Sequence, residues 1–234
     1  LVRSRGLGDV YKRQLPDLMS LFLPQRTADV LPRAPLGPVP QQGTEEFELL
    51  FQTSAHGIGL VGHCELCFDG RTLTYGAYDP AHQRLLRTAG AGVVFSAPRE
   101  PYLRWCIGTH HRRVISYSLC LPPAQAAQLR AELERFRQTL SPWQPEALPE
   151  DCFAGRLRRL GGVRFWRVQR GPYATYFIPT INCVSLTNEL LEKTDIGRTV
   201  MLGLKTPGAY LDLLEREYLA GNPAVTARRV YDRI

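Results

Sequence analysis

The stretch GHCELCFDGRTLTYGAYDP, residues 62–80, carries the clearest structural pattern in the chain. Asp69-Gly70 lies between two runs that favour strands, and an Asp-Gly pair in that setting is typical of a two-residue hairpin loop. Such a loop pairs Phe68 with Arg71, Glu65 with Thr74, and His63 with Gly76. The stretch therefore predicts two adjacent antiparallel strands, with His63 and Glu65 on one side of the first strand because strand side chains alternate.

Downstream of the hairpin, the sequence alternates between strand and helix patterns. Strands are predicted at 92–98, 112–121, 162–169 and 173–179, and a short helix at 99–108. Longer helices are predicted to begin at Pro122-Pro123, at Asn182-Cys183 and at Thr206-Pro207, the last closed by Gly221. The count of five or six strands and three to four helices predicts an α+β fold, an antiparallel sheet packed against helices.

The N-terminal region differs from the rest in composition. Residues 1–14, LVRSRGLGDVYKRQ, show no apolar period and resemble translated sequencing-adapter read-through, so we expect them to be an artefact. Residues 15–44 are too rich in proline for a continuous helix or a central strand, which predicts a linker or a wrapping arm. Residues 45–234 are expected to form a single α+β domain.

Charge and composition narrow the classes of function. The first fourteen residues contain four basic residues and one acidic residue, so they carry +3 of the net +7 and leave +4. This modest charge argues against nucleic acid as the main partner. No apolar run is long enough for a membrane span. The six cysteines lack the spacing of a disulfide framework, which favours a reducing, cytoplasmic compartment; export stays open because the native start can be missing.

Cys183 occupies a chemically distinctive position in the sequence INCVSLTNELL. Leu186, Leu190 and Leu191 recur at helical spacing, and Asn182 is a preferred N-cap residue, so Cys183 is predicted to be the first residue of the helix. Unpaired N–H groups and the helix dipole favour an anion there, which predicts a lowered thiol pKa and a nucleophilic thiolate. The alternative is a buried cysteine that only packs.

His63 is the candidate base for this thiol. It lies on the first strand of the hairpin after Gly59 and Gly62, which leave room for close backbone approach. An imidazole beside a thiol is the general arrangement for covalent acyl transfer. A structural role for a lone strand histidine is the alternative, and we expect His63 and Cys183 to meet in one cleft if the pair is catalytic.

The order of these features resembles a known family. The chain has a Gly-His on an early strand, followed by the TYGAYD strand. Much later an Asn-Cys opens a helix after the YATYF strand. This order resembles that of the circularly permuted NlpC/P60, papain-like proteins. In that family, and in the lecithin retinol acyltransferase-like proteins, the histidine also precedes the cysteine. The resemblance covers roughly residues 56–195 and implies a permuted papain-like fold with Cys183 as the nucleophile and His63 as its base.

The resemblance also implies a third, ring-orienting residue on the strand after the histidine. This chain has no histidine or glutamine there and offers Thr74, Tyr75 and Asp79 instead, with Glu65 as a further candidate on the strand of His63. The implied chemistry is attack on an amide, ester or thioester carbonyl without a cofactor. The oxyanion would be held by the N–H of Cys183 and by Asn182, unless Asn182 is only a cap. Peptidoglycan-type peptides, other peptide or isopeptide bonds, and lipid acyl groups all fit as substrate.

Two functions of other classes stay open. His63, Cys64 and Cys67 offer three soft ligands for a metal or a Cys-x-x-Cys redox pair, although strand alternation places the two cysteines on opposite faces. Alternatively, the chain is a non-catalytic binding module for an anionic polymer, with residues 155–170 interleaving arginines with Phe165 and Trp166. The sequence does not address the oligomeric state.

Overall fold

The computed structural model describes residues 33–34, 47–53, 62–85, 88–144, 148–194, 196 and 206–232. Its strands are β1 (Arg33–Ala34), β2 (Phe47–Thr53), β3 (His63–Phe68), β4 (Arg71–Gly76), β5 (Ala89–Ala91), β6 (Val93–Pro98), β7 (Arg113–Leu119), β8 (Leu140–Pro142), β9 (Arg164–Val168), β10 (Thr175–Phe177) and β11 (Val225–Tyr231). Its α-helices are α1 (Arg99–Gly108), α2 (Pro123–Arg137), α3 (Phe153–Arg158), α4 (Cys183–Leu191) and α5 (Pro207–Leu219).

Nine strands form one sheet in the order β1-β11-β7-β2-β3-β4-β6-β9-β8, and β5 pairs with β10 in a separate two-stranded sheet. All pairings are antiparallel except that of β1 with β11. The predicted turn is confirmed: Phe68 pairs with Arg71, and both loop residues have positive φ, as a two-residue type I′ turn requires. The pairing of β3 with β4 extends only to Leu66 and Leu73, so the predicted pairs of Glu65 with Thr74 and of His63 with Gly76 are not formed. The fold is therefore α+β with a mostly antiparallel sheet.

The large sheet separates two hydrophobic cores. The first core lies between the sheet and α2, α4 and α5, and the second lies between the sheet and α1 and α3. Strand β3 contributes to both cores, since Cys64 and Leu66 belong to the first and Cys67 to the second. The opposite orientation predicted for the two cysteines is thus confirmed.

Helix α1 matches the predicted range, and α5 begins at its predicted cap, Thr206, and is followed by Gly221 with positive φ. The count of five or six strands is too low. The strands that it omitted are β1, β2, β5, β8 and β11. Strand β2 is buried on both faces and β11 carries arginines, so neither shows the alternation that predicts a strand. Of the proline-rich arm, Arg33–Ala34 forms an edge strand beside β11. Residues 1–14 lie outside the described residues.

Within the part of the chain that the structure describes, none of the helices combines the length and apolar character that crossing a bilayer requires.

Candidate functional site

Helix α4 begins at Cys183, as predicted, and its start is held by a capping box. The Asn182 side-chain oxygen accepts from the amides of Val184 and Ser185 at 2.9 and 3.0 Å, and the Asn182 amide donates to the Ser185 hydroxyl at 2.8 Å. Asn182 Nδ2 donates to the Ile178 carbonyl at 2.7 Å. These contacts are those of an N-cap, and they anchor the residue that carries the thiol.

The Cys183 sulfur accepts a hydrogen bond from a backbone amide of the neighbouring strand. The amide of Cys64 on β3 donates to it at 3.5 Å, while the Val184 amide donates to the Asn182 side chain. The residue is only 3% exposed, and burial raises the pKa of the thiol to about 12 while the amides act in the opposite direction. The expected lowering of this pKa is therefore wrong for the structure, because the cost of burying a thiolate outweighs the helix start and the amides.

His63 is the first residue of β3, and its ring is held by a tyrosine. Ring Nε2 lies 3.0 Å from the Tyr78 hydroxyl, and Tyr78 stacks on Phe153 of α3. On the backbone, His63 pairs with Gln52, whose side chain bonds to Tyr102 of α1. Burial and the charge of Arg112 lower the pKa of His63 to about 3, so the imidazole is neutral at pH 7.

His63 and Cys183 lie at the same end of β3 but on opposite sides of the strand, so the expectation that they meet in one cleft is not met in this structure. The sulfur lies in the first core, whereas the contacts of the imidazole lie on the side of α1 and α3. Among the described residues, the two side chains make no direct hydrogen bond. The link between them is the amide of Cys64, the residue that follows His63.

Glu65 lies on the same face of β3 as His63, as predicted, but it does not contact the imidazole. Its Oε1 accepts hydrogen bonds from Gln52 and Tyr102, both at 2.6 Å, while Oε2 has no partner among the described residues. Glu65 is 1% exposed, and burial raises the pKa of its carboxyl to about 7 against the lowering effect of those hydrogen bonds.

Tyr75 and Asp79, the remaining candidates for the third residue, have structural contacts. The Tyr75 hydroxyl donates to the carbonyls of Tyr173 and Thr175 at 3.0 and 3.2 Å, and burial raises its pKa. Asp79 caps a 3-10 turn through the Ala81 amide and pairs with His82 and Arg167. Thr74 is buried within the sheet opposite Phe95. In this structure none of the three orients the His63 ring.

The sequence reasoning missed two residues of the site. Tyr78 holds the imidazole, yet it lies beyond β4, where strand alternation gives no guide to its orientation. Ser185 completes the capping box, and its position three residues after Asn182 is the spacing that such a box requires. Gly76 leaves room for the Tyr78 ring that contacts His63, because a Cβ at position 76 would lie 2.7 Å from that ring.

The two alternative sites also have locations in the fold. Cys67 contacts the Thr72 hydroxyl at 3.2 Å on the side of the sheet away from Cys64, and all six cysteines are free thiols. In the described part of the chain, no three His, Cys, Asp or Glu side chains form a group that could hold a metal ion. The basic segment of residues 155–170 covers most of α3 and all of β9, and its residues line several surface cavities.

Comparison of the chain with protein-family models, with curated proteins and with solved structures gives no match. The contacts of Cys183 and His63 are therefore the basis for a function.

Proposed function

We propose that the protein is a thiol-dependent hydrolase or acyltransferase in which Cys183 attacks an amide, ester or thioester carbonyl and His63 takes the thiol proton. One observation carries the proposal: the sulfur lies at the start of a capped helix and accepts a hydrogen bond from the amide of Cys64, the residue that follows His63 on β3. A cysteine that only packs needs no such donor. The order of His63 and Cys183 supports a permuted papain-like, NlpC/P60-type site.

The amides supply the electrostatic part of this chemistry. Attack by sulfur places negative charge on the carbonyl oxygen, and backbone N–H groups at a helix start stabilise an oxyanion at no cost of reorganisation. His63 transfers the thiol proton to the leaving group, which departs as an amine, alcohol or thiol. Water or a second nucleophile then attacks the acyl thioester and regenerates the thiol.

We interpret this arrangement as the resting state of the proposed reaction. The thiol and the imidazole are both neutral at pH 7, because burial shifts their pKa values apart. His63 Nε2 lies against the Tyr78 hydroxyl in this arrangement, so the ring takes the thiol proton only after it leaves Tyr78. Because the two side chains project from opposite sides of β3, proton transfer requires the backbone at the start of the strand to move, and the imidazole has one hydrogen bond, to Tyr78, to release.

The proposal is tested with p-nitrophenyl acetate, an activated ester that needs no knowledge of the natural substrate. Peptide mapping by mass spectrometry should find a hydroxylamine-sensitive acetyl group on Cys183. His63→Ala should slow its formation by about 100-fold or more, the usual contribution of a general base. Cys120→Ala is the matched control, since Cys120 lies outside the site. In this variant Cys183 should be acetylated at the wild-type rate.

Two outcomes would overturn the proposal: an acetylation rate of Cys183 that His63→Ala leaves unchanged, or acetylation confined to other cysteines. Circular dichroism and the melting temperature establish that each variant is folded. If His63→Ala is unstable, His63→Gln preserves a polar side chain and removes the base.

A further inference from the structure

Two adjoining surface cavities lie far from Cys183. The first, of about 410 Å³, lies between α2 and the β3–β4 hairpin, and the second, of about 400 Å³, lies between α3 and the strands β8 and β9. Arg137, Arg164 and Trp166 line both cavities, which adjoin at this edge of the sheet, and the first cavity is called the groove below. Phe68 of this groove and His63 occupy opposite ends of β3, roughly 17 Å apart at the usual rise per residue.

The floor of the first cavity is apolar. Arg164 and Trp166 are two residues apart on β9 and therefore project to the same side of the sheet. The apolar side chains that line this cavity are Phe68, Leu73, Leu133, Phe136, Leu140 and Trp166. A concave apolar surface of this volume matches the size of small-molecule sites.

The rim of the groove is positively charged. Its basic residues are Arg130, Arg137 and Arg164, and its acidic residues are Asp69 and Glu134. Asp69 neutralises Arg130 through contacts of 2.9 and 3.0 Å, whereas Glu134 lies 3.7 Å from Arg137 with both side chains largely exposed, which makes a weak pair. The rim therefore keeps a positive excess.

Arg164 adds to this excess. It is exposed, and among the described residues it has no carboxylate within ion-pair distance. Its charge also acts on Arg71, whose pKa is lowered by burial and by Arg164. Two guanidinium groups that repel each other beside an apolar floor are stabilised by an anion placed between the rim and the floor.

We propose that this groove binds an amphiphilic organic anion, with the apolar body on the floor and a carboxylate or phosphate head on Arg137 and Arg164. A single-stranded nucleic acid would need free aromatic faces for stacking. Here Trp166 packs against the first core, and Trp143 lies under the guanidinium of Arg167 at 5.6 Å and against Phe165. The rings therefore suit an apolar floor better than a stacking platform.

The test is calorimetric titration of the full chain with decanoate and decyl phosphate, both kept below the concentration at which they form micelles. Binding of either anion should be at least about tenfold tighter than binding of decanol or decyltrimethylammonium, as expected for one charge-assisted hydrogen bond. The double variant Arg137→Gln/Arg164→Gln should lose at least about tenfold in affinity. Arg135→Gln, on the same helix but outside the groove, should bind as the wild type does.

Equal affinity for decanol and decanoate would overturn the proposal, as would a double variant that binds decanoate normally. Tighter binding of a thymidine oligonucleotide than of either amphiphile would also overturn it and would assign the groove to a polymer. The comparison among ligands uses the wild-type chain, so it holds even if the double variant is unstable. Cys183→Ala should bind decanoate normally, which separates this site from the proposed reaction.

Discussion

Tyr78 and the Cys64 amide hold the two reactive side chains of the proposed site on opposite sides of β3. The hydrogen bond from Tyr78 keeps the His63 ring beside Phe153, while the Cys64 amide keeps the Cys183 sulfur in the first core. Tyr78 is therefore a restraint on the ring, and the ring must leave it before it can take a proton from the thiol.

Removal of that restraint should accelerate the proposed reaction. Tyr78→Phe deletes one hydroxyl, and a hydrogen bond of this kind contributes about 0.5–1.5 kcal/mol. Acetylation of Cys183 by p-nitrophenyl acetate should therefore become about 2- to 10-fold faster. Tyr218→Phe, on α5 and away from His63, should leave the rate unchanged. A slower Tyr78→Phe variant would show that Tyr78 orients the ring productively instead.

Glu65 links stability to pH. The pKa of its carboxyl is raised by burial to about 7 from an ordinary value of 4.5, so the folded state binds a proton that the unfolded state releases. Its contribution to stability is complete below about pH 4.5 and is lost as the pH rises through about 7. Glu65→Gln keeps a neutral side chain with an oxygen that can accept from Gln52 and Tyr102, and it does not ionise.

Relative to the wild type, Glu65→Gln should therefore gain stability between pH 5 and pH 8, by up to about 3 kcal/mol. Urea unfolding at the two pH values measures this difference. Glu100→Gln, at an exposed ion pair on α1, is the control and should show almost no such change. A stability difference for Glu65→Gln that does not vary with pH would mean that Glu65 titrates as an ordinary carboxyl.

Among the elements, α4 depends most on its first turn. The capping box satisfies amides that a helix start otherwise leaves without partners. Because Cys183 is the first residue of the capped helix, the cap positions the thiol as well as the helix. Disruption of the cap should therefore affect both stability and acetylation.

Asn182→Ala should destabilise the protein by about 0.5–2 kcal/mol, the usual effect of losing an N-cap, as measured by urea unfolding. Asn182→Asp preserves the accepting oxygen for the amides of Val184 and Ser185 and should retain most of that stability. An Asn182→Ala variant as stable as the wild type would show that the Ser185 half of the box is sufficient.

Across the whole molecule, the large sheet divides the chain into regions with separate roles. Its two faces form separate cores, and the start of β3 brings both of them to His63 and Cys183. The opposite end of β3 leads to the basic groove beneath α2. The proposed reaction and the proposed anion site therefore use opposite ends of one strand and can be altered independently.

Local sequence patterns predicted much of the secondary structure. The Asp69-Gly70 turn, the helix over 99–108 and the start of α4 at Cys183 each depend on neighbouring residues, through backbone conformation, apolar period and capping. Strand β2 was not predicted, because it is central in the sheet and buried on both faces. The buried carboxylate of its Glu48 accepts hydrogen bonds from Arg99 and Ser116, which are distant in the sequence, and this compensates the cost of burying its charge. Such compensation has no local pattern.

The candidate site follows the same division. The sequence alone fixes that a cysteine opens a capped helix and that a histidine begins a strand, since these depend on residues within a few positions. Only the tertiary structure decides that the thiol is neutral, that Tyr78 holds the imidazole, and that Glu65 retains its proton up to about pH 7. The physical reason is that pKa values and side-chain directions depend on burial and on partners far apart in sequence, which exist only once both cores have formed.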